Sequence, residues 1–330
     1  MFRKDLSIKE IFAQASQDYK KKNFKSAESL YKQILKKNPN HFDSIVLLGA
    51  LLAQSGKLEK AKKFFQKAVQ IKPNSSNANY NLGLTFKKLG EYKKAVNNYE
   101  KAIKINPDYF IAYSNLGSVF YQLGEFKKAR ECYEKAIQIN PNFANAHFGL
   151  GSLYEELNDF EKAKNYYKSA IQINPNFAIA HFGLGNIHEE FGQFQKAIDC
   201  YKKAIQLQND FVDAYNNLAL VFKNLGQYQQ AISCYEDAIK YNSENLISIY
   251  LLSELKKEVL DSNLKEKIIN IINKNDCTVK NHAYGNFLLS KYELKIKNYE
   301  KEFNYLLKAH SCILDLRKDL FNKEINYWLN

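Results

Sequence analysis

The chain has 330 residues, of which 45% are hydrophobic and 25% charged, a composition that excludes an intrinsically disordered protein. Its formal net charge is +13, but only three of its 48 basic residues are arginine. The excess of lysine has two interpretations: a codon bias, or a surface for nucleic acid or acidic lipid. Because phosphate recognition favours arginine and the lysines form only short runs, we favour the first and expect no nucleic-acid partner.

Membrane, disulfide and zinc proteins are also disfavoured by the sequence. The first 22 residues are polar and lack the apolar segment of a secretory signal, and no run of 18 apolar residues follows. The five cysteines are dispersed, with no Cys-x-x-Cys spacing. We therefore expect a reduced, cytoplasmic protein with no membrane partner, no metal and no cofactor.

A 34-residue period organises most of the chain. Ten of the 13 glycines fall at two places in this period, and alanines recur at a third. The only five prolines also keep the step, at Pro39, Pro73, Pro107, Pro141 and Pro175. Such self-similarity predicts stacked repeats, each of which buries its apolar face against its neighbours.

The residues within one period predict two packed helices. Numbered from Ser76, apolar residues at positions 4, 7 and 11 follow helical spacing, and small residues at 8, 20 and 27 let two helices approach closely. Glycine at position 15 can end the first helix, called helix A, in a left-handed turn. Proline at position 32 stops the second helix, called helix B.

One such repeat resembles the tetratricopeptide repeat (TPR). It carries Leu82, Gly83, Phe86, Ala95, Tyr99, Ala102 and Pro107 at the positions that define the family, and it departs from the family pattern only in the polar Asn79 at position 4. Seven units fit this pattern within residues 1–245. The resemblance implies an all-α fold: a right-handed TPR superhelix, or α-solenoid, closed by degenerate C-terminal capping helices.

Three further segments are predicted after the repeats. Residues 246–281 indicate a divergent helical pair, residues 282–315 a degenerate TPR-like hairpin, and residues 316–330 a terminal helix or linker. In the hairpin Lys297 replaces the turn glycine, and Glu302 replaces the alanine of position 20. We expect the final residues, with the only tryptophan, Trp328, to cover the open end of the core.

No constellation of residues indicates catalysis. The Gly-x-Gly pairs at Gly149 and Gly183 fall inside predicted helices, so they indicate packing rather than a phosphate loop. His147, His181 and His188 occupy core positions, and the first two lie too far apart to share a metal. Cys132, Cys200 and Cys234 share position 23 and indicate apolar filling. We predict a protein that is not an enzyme.

The family resemblance implies a concave groove lined by the A helices. The candidate residues for binding a partner there are Tyr80, Asn81, Asn115, Tyr121, Phe148, Glu155, Glu156, Phe182, Asn186, Glu189, Glu190 and Asn217. Asn81, Asn115 and Asn217 at position 6 resemble the asparagine ladder of O-linked N-acetylglucosamine transferase, which Gly149 and Gly183 interrupt. Asparagine can both donate to and accept from a peptide backbone.

Two aromatic residues and four carboxylates coincide where the ladder is interrupted. Phe148 and Phe182 stand beside Glu155, Glu156, Glu189 and Glu190 in repeats 5 and 6. This pattern predicts an apolar, acidic pocket for a basic and aromatic segment, with a solvated groove wall as the alternative. The leading function is a scaffold that binds a protein or peptide.

A second function is a substrate-docking arm whose catalytic domain is absent from this chain. Residues 286–289, 297–303 and 305–309 resemble the linker that precedes a sulfotransferase domain in bacterial TPR-sulfotransferase proteins. A glycosyltransferase partner domain is the weaker variant of this hypothesis. A phosphate-binding loop encoded just downstream of Asn330 would favour the docking arm.

Overall fold

The computed structural model describes the backbone of residues 6–329 and the side chains of residues 6–318 except Lys257. Within this part all regular elements are helical, which confirms the all-α class. The chain divides into two compact units, Met1–Pro141 and Asn142–Asn330. Unit 1 contains α1 (Ile8–Lys20), α2 (Phe24–Lys37), α3 (Phe42–Gln54), α4 (Leu58–Ile71), α5 (Ser76–Lys88), α6 (Tyr92–Ile105), α7 (Phe110–Gln122) and α8 (Phe126–Ile139).

Unit 2 begins with the three hairpins of repeats 5 to 7 and continues into less regular helices. The hairpins are α9 (Ala144–Glu156) with α10 (Phe160–Ile173), α11 (Ala178–Glu190) with α12 (Phe194–Leu207), and α13 (Val212–Asn224) with α14 (Tyr228–Tyr241). The later elements are α15 (Leu246–Leu255), a 3-10 turn (Lys257–Val259), α16 (Ser262–Ile272), α17 (Val279–Lys295) and α18 (Tyr299–Leu329).

The hairpin turns form as the repeat pattern predicts. Gly192 ends α11 with a φ of +66° and Gly226 ends α13 with a φ of +74°, a conformation that favours glycine. Asn158 adopts it after α9 with a φ of +59°, which asparagine tolerates better than most residues. Each helix A can then fold back onto its own helix B.

Small residues in helix A are required because a tyrosine of helix B passes close to them. A Cβ atom on Gly151 would lie 2.6 Å from Tyr167 Cδ1, and one on Gly185 would lie 2.6 Å from Tyr201 Cε1. Tyr201 itself is fully buried. The glycines therefore set the distance between the paired helices, as the sequence predicts.

His188 and the three cysteines of position 23 lie in surroundings that favour a structural role. His188 is buried, and its Nδ1 lies 2.8 Å from Oε1 of Gln193, so it fills an aromatic position of the core. Burial raises the pKa of Cys132 to about 12 and that of Cys200 and Cys234 to about 11. These three thiols therefore stay protonated near neutral pH.

The C-terminal helices of unit 2 depart from the repeat geometry. Helix α15 has 10 residues where the A helices of the repeats have 13, and α17 packs against α15, α16 and α18. Their shared core is formed by Leu246, Ile249, Leu260, Ile268, Ile271, Leu288 and Leu289. In this region one longer helix, α17, packs against the other three helices, whereas in the repeats successive hairpins pack on one another.

The predicted boundary at residue 316 does not coincide with a helix end. Helix α18 runs without a break from Tyr299 to Leu329, because no glycine or proline interrupts this stretch. The predicted hairpin and terminal segment therefore share one helix. The side chain of Trp328, which we expected to cover the core, lies outside the described residues.

Candidate functional site

The predicted groove residues fall in both units, and in unit 1 they form a hydrogen-bonded aromatic cluster. The Tyr80 ring centroid lies 5.8 Å from that of Tyr99 and 5.1 Å from that of Tyr109. Asn115 Nδ2 donates to the Tyr80 hydroxyl at 3.3 Å, and Asn115 Oδ1 accepts from Lys87 Nζ at 3.3 Å. Burial lowers the pKa of Lys87.

The two ladder asparagines of unit 1, Asn81 and Asn115, have different hydrogen-bond partners. Asn81 Nδ2 donates to Asn77 Oδ1 at 2.8 Å within its own helix. Asn115 Nδ2 also reaches the carbonyl oxygen of Ile111 at 3.0 Å, one turn earlier in α7. Tyr121 packs on Phe126, with ring centroids 5.7 Å apart. Asn81 is therefore engaged within its own helix, whereas Asn115 bonds both within α7 and to Tyr80 and Lys87 of α5.

In unit 2 four of the predicted residues join one hydrogen-bond network. Asn186 Nδ2 donates to Glu155 Oε1 at 3.1 Å, and Asn217 Nδ2 donates to Asn186 Oδ1 at 3.0 Å. The Tyr201 hydroxyl donates to Glu189 Oε2 at 2.7 Å and lies 3.0 Å from Asn186 Oδ1. Helices α9, α11 and α13 thereby share a continuous polar layer.

Tyrosines from the B helices support the two glutamates of this network. The Tyr167 hydroxyl donates to Glu155 Oε2 and lies 3.2 Å from Ser152 Oγ, and Tyr201 holds Glu189 in the same way. Burial raises the pKa of Glu155, and the hydrogen bonds from Tyr167 and Asn186 oppose that rise. Burial likewise raises the pKa of Glu189.

Phe148 and Phe182 form the apolar part of the groove in unit 2. The Phe148 ring lies 5.7 Å from that of Tyr167, and the Phe182 ring lies 5.0 Å from that of Phe211. Between them is a pocket of about 180 Å³ whose lining includes Phe148, Glu155, Phe182, Asn186, Phe211 and Asp213. A cavity of this size can hold one side chain.

The four predicted carboxylates do not all line this pocket. Glu155 does, whereas Glu189 belongs to the adjoining hydrogen-bond network, and Glu156 and Glu190 are absent from the lining. Glu190 is exposed to solvent. Positions 12 and 13 point about 100° apart around helix A, so Glu156 and Glu190 point away from the side on which Glu155 and Glu189 lie.

The interruption of the ladder at Gly183 also has a steric reason. A Cβ atom there would lie 2.6 Å from Tyr167 Cζ, so the Tyr167 ring occupies the space of an asparagine. Asn186, one turn later, takes over the bridging role between Glu155 and Asn217.

Sequence reasoning missed Tyr167 and Tyr201, because position 24 is read as a core aromatic. Phe65 fills the same position in repeat 2, so a ring without a hydroxyl is sufficient for packing there. The hydroxyl groups of Tyr167 and Tyr201 were therefore the signal for a polar role. It also missed Phe211, which lies in a loop before helix A.

Neither metal nor membrane features accompany the groove in the part of the chain that the structure describes. There, no three histidine, cysteine or acidic residues are grouped so that they could hold a metal ion. Among the described helices, none combines the length and apolar character needed to span a bilayer.

Family models agree with the repeat geometry. Models described as TPR repeat or tetratricopeptide repeat match residues 85–124, 117–158, 144–177, 166–199, 190–226 and 212–245. A model of the TT21 fifth ARM repeats domain matches residues 12–102. Comparison with curated protein sequences gives no match.

Several solved structures share this fold. A TPR protein from Parabacteroides merdae has a TM-score of 0.62 at 19% identity, over 75% of this chain and 98% of that one. The APC/C hetero-tetramer Cut9-Hcn1 has a TM-score of 0.62 at 16% identity, over 74% of this chain and 55% of that one. Pseudomonas aeruginosa PilF has a TM-score of 0.57 at 20% identity, over 66% of this chain and 97% of that one.

These similarities define an all-α repeat protein, and the chain belongs to the tetratricopeptide repeat family. At these identities the solved structures show the fold alone, and the chain spans about half the length of the Cut9-Hcn1 chain, of which 55% is matched. None of the matching family models extends past residue 245. The resemblance of the tail to a sulfotransferase linker therefore stays a prediction.

Proposed function

We propose that this protein is a scaffold that binds an extended segment of a partner protein in the groove of unit 2. The TPR fold supports a protein-interaction role in general. The groove formed by α9, α11 and α13 supplies both an apolar pocket and a polar layer.

The observation that carries the proposal is the pocket between Phe148 and Phe182. Its walls are aromatic, and Glu155 and Asp213 contribute its acidic groups. A lysine or arginine side chain can place its charge over the ring faces and near these carboxylates. An aromatic residue of the same segment can pack against the remaining exposed part of the Phe rings. The favoured ligand is therefore a basic and aromatic segment.

The polar layer supports binding because it is already ordered. Tyr167, Tyr201 and Asn217 fix the rotamers of Glu155, Glu189 and Asn186 before a ligand arrives. Groups fixed in this way lose little conformational entropy on binding. The Asn186 and Asn217 amides can form further hydrogen bonds to backbone groups of an extended peptide.

Binding is proposed in preference to catalysis on chemical grounds. Burial raises the pKa of Cys200 and Cys234 to about 11, so neither thiol in this region is an activated nucleophile. The half-buried Glu155 and Glu189 are hydrogen-bonded to tyrosine hydroxyls rather than to an acid–base partner.

A peptide array tests the proposal directly. Twelve-residue peptides of matched length with systematically varied lysine, arginine and aromatic content are probed with the protein and with the Glu155→Lys/Glu156→Lys/Glu189→Lys/Glu190→Lys variant. Peptides that carry both a basic and an aromatic residue should bind the natural protein, and the variant should lose that preference. Equal binding of these peptides by both proteins would refute the proposal.

A matched control separates groove chemistry from net charge. The variant Glu161→Lys/Asp199→Lys/Glu258→Lys/Glu266→Lys makes the same change in formal charge at four solvent-exposed positions of unit 2 outside the pocket lining. It should retain the preference of the natural protein. Circular dichroism of both variants checks that they are folded.

A further inference from the structure

The excess of basic over acidic residues is confined to unit 1. Residues 1–141 contain 26 lysines and arginines against 12 aspartates and glutamates, whereas residues 142–330 contain 22 against 23. A codon bias acts along the whole chain, so it does not explain an excess that is restricted to one unit. Because a strong positive field attracts negatively charged partners, the charge of unit 1 indicates an acidic ligand.

Two neighbouring A helices of unit 1, α5 and α7, contain no aspartate or glutamate. Helix α5 ends with Lys87 and Lys88, whereas α9 and α11 of unit 2 each end with two glutamates. Position 12 is therefore lysine in repeat 3 and glutamate in repeats 5 and 6. The ligand charge that this position favours is reversed accordingly.

Lys87 is a half-buried cation without a counter-ion. Among the described residues no carboxylate pairs with Lys87, whose Nζ donates to Asn115 Oδ1 at 3.3 Å. Burial lowers the pKa of Lys87, because its ammonium group is incompletely solvated. Lys62, which is also half-buried in unit 1, has Glu59 at 2.7 Å and Glu91 at 3.2 Å. An anionic ligand would supply Lys87 with the charge partner that Lys62 already has.

The groups around Lys87 offer more hydrogen-bond donors than acceptors. Asn115 Nδ2 donates to the Tyr80 hydroxyl at 3.3 Å, so the proton of that hydroxyl is available to another acceptor. The fully buried Tyr99 hydroxyl has no hydrogen-bond partner among the described residues. In repeat 5 the tyrosine of the same position donates to Glu155 of position 12, whereas Lys87 can only donate. A negatively charged acceptor complements this set of donors.

A carboxylate suits this place better than a phosphate. The Glu155 and Glu189 carboxylates occupy the equivalent place in repeats 5 and 6, where each accepts from a tyrosine of helix B. Phosphate recognition favours arginine, which α5 and α7 do not contain. A side chain within an acidic segment is favoured over a chain terminus, because several negative charges gain from the field of unit 1 and a terminus supplies one.

We propose that the groove of unit 1 binds an acidic segment of a partner protein, with one aspartate or glutamate side chain received by Lys87. The carboxylate accepts from Lys87 Nζ and from the Tyr80 hydroxyl, and Asn115, which contacts both groups, positions them. All of these residues belong to unit 1, so the site does not depend on the pocket proposed in unit 2.

Fluorescence anisotropy with the full chain compares three labelled peptides of twelve residues. The first carries four glutamates and has both ends blocked, the second has glutamine instead of glutamate, and the third is the glutamine peptide with a free terminal carboxylate. The glutamate peptide should bind at least about tenfold more tightly than the other two, because glutamine removes the charge-assisted hydrogen bonds. Equal binding of the first two peptides would refute the proposal. A third peptide that binds as tightly as the first would replace the side-chain ligand by a chain terminus.

The variant Lys87→Glu tests the subsite with a residue that the repeat accommodates, since glutamate stands at position 12 of repeats 5 and 6. It should weaken binding of the glutamate peptide by about thirtyfold or more. Lys93→Glu, at an exposed position of α6, makes the same change in formal charge and should weaken it by less than about threefold. Equal losses would mean that net charge alone attracts the peptide, which would overturn the proposal. Circular dichroism checks that both variants are folded.

Two further measurements test the second donor and the class of ligand. Tyr80→Phe keeps the ring and should weaken binding of the glutamate peptide by about fivefold, because one hydrogen bond is lost. Unchanged binding would contradict the arrangement with two donors. Single-stranded DNA of twelve nucleotides should respond to Lys87→Glu by less than about threefold, as an exposed charge does. A loss of DNA binding as large as that of the peptide would make the groove a nucleic-acid site and overturn the proposal.

Discussion

Within unit 2, repeats 5 to 7 and the helices α15 to α18 solve the same packing problem differently. In the repeats, a glycine or alanine of helix A meets a fully or almost fully buried tyrosine of helix B, as Gly185 meets Tyr201. In the last hairpin, Ser290 and Leu306 take these positions, and Glu293 replaces the aromatic residue of position 11. A buried ion pair and a longer helix substitute there for the repeated aromatic contact.

The ion pair of the C-terminal helices has no equivalent in the repeats of unit 2. Lys265 Nζ of α16 lies 2.6 Å from Oε1 of Glu293 of α17, whose side chain is 1% exposed. Oε2 of Glu293 has no hydrogen-bond partner among the described residues. The repeat pattern can therefore degenerate where a polar contact replaces a core ring, with a loss of stability.

The largest predicted effect comes from removing a ring of the regular repeats. Tyr201→Ala should lower the free energy of unfolding by about 4 kcal/mol, because a fully buried aromatic side chain is lost. Leu306 occupies the same position in the C-terminal hairpin and is half-buried, so Leu306→Ala should lower the free energy of unfolding by about 2 kcal/mol. Urea unfolding followed by circular dichroism measures both, and equal losses would remove the distinction between the two regions.

The ion pair supplies the second prediction. Lys265→Met should lower the free energy of unfolding by about 3 kcal/mol, because the Glu293 carboxylate remains buried without its counter-ion. Lys265→Met/Glu293→Phe restores the aromatic residue of position 11 and should recover the loss or exceed it. If the double variant is no more stable than Lys265→Met, position 11 of α17 is not equivalent to that of the repeats.

A third prediction concerns the turns. Lys297 holds a φ of +60° where Gly192 and Gly226 stand in the repeats, and this conformation is strained for lysine. Lys297→Gly should therefore raise the free energy of unfolding by about 1 kcal/mol. Gly192→Lys should lower it by a similar amount. Thermal unfolding of both variants checks the opposite signs.

The smallest effect is the pH dependence that the groove glutamates introduce. Because the pKa of Glu155 is raised in the folded protein, the folded state binds more protons than the unfolded state between the usual and the raised value. Stability from this group is present at low pH and falls as pH rises through that window.

Glu155→Gln should remove this dependence and stabilise the protein at pH 7 by less than about 1 kcal/mol. Urea unfolding at pH 4.5, 5.5, 6.5 and 7.5 measures the difference from the natural protein, which should shrink towards low pH. Glu190→Gln, at an exposed position, is the control and should change stability by less than about 0.5 kcal/mol. A difference that grows towards low pH would contradict the sign.

The repeat, its helices and the roles of Gly185, Gly192 and His188 could be predicted from the sequence, because each is a local or periodic requirement. The grouping of the groove residues could be predicted only in part. Glu155 and Glu189 were identified, but their tyrosine partners were read as core rings. Pairwise contacts between side chains of different hairpins depend on rotamers that spacing alone does not specify.

The class of this protein follows from its amino-acid sequence, since a 34-residue period of small, aromatic and turn residues fits one hairpin geometry and recurs often enough to be unambiguous. The packing of the helices was needed to show which carboxylate lines the pocket, why Gly183 interrupts the asparagine positions, and where apolar side chains remain exposed. The periodic residues are those that every repeat needs for its turns and for the packing of its two helices. The groove depends on side chains that differ between neighbouring helices, and the contacts of those side chains are set only when the helices pack.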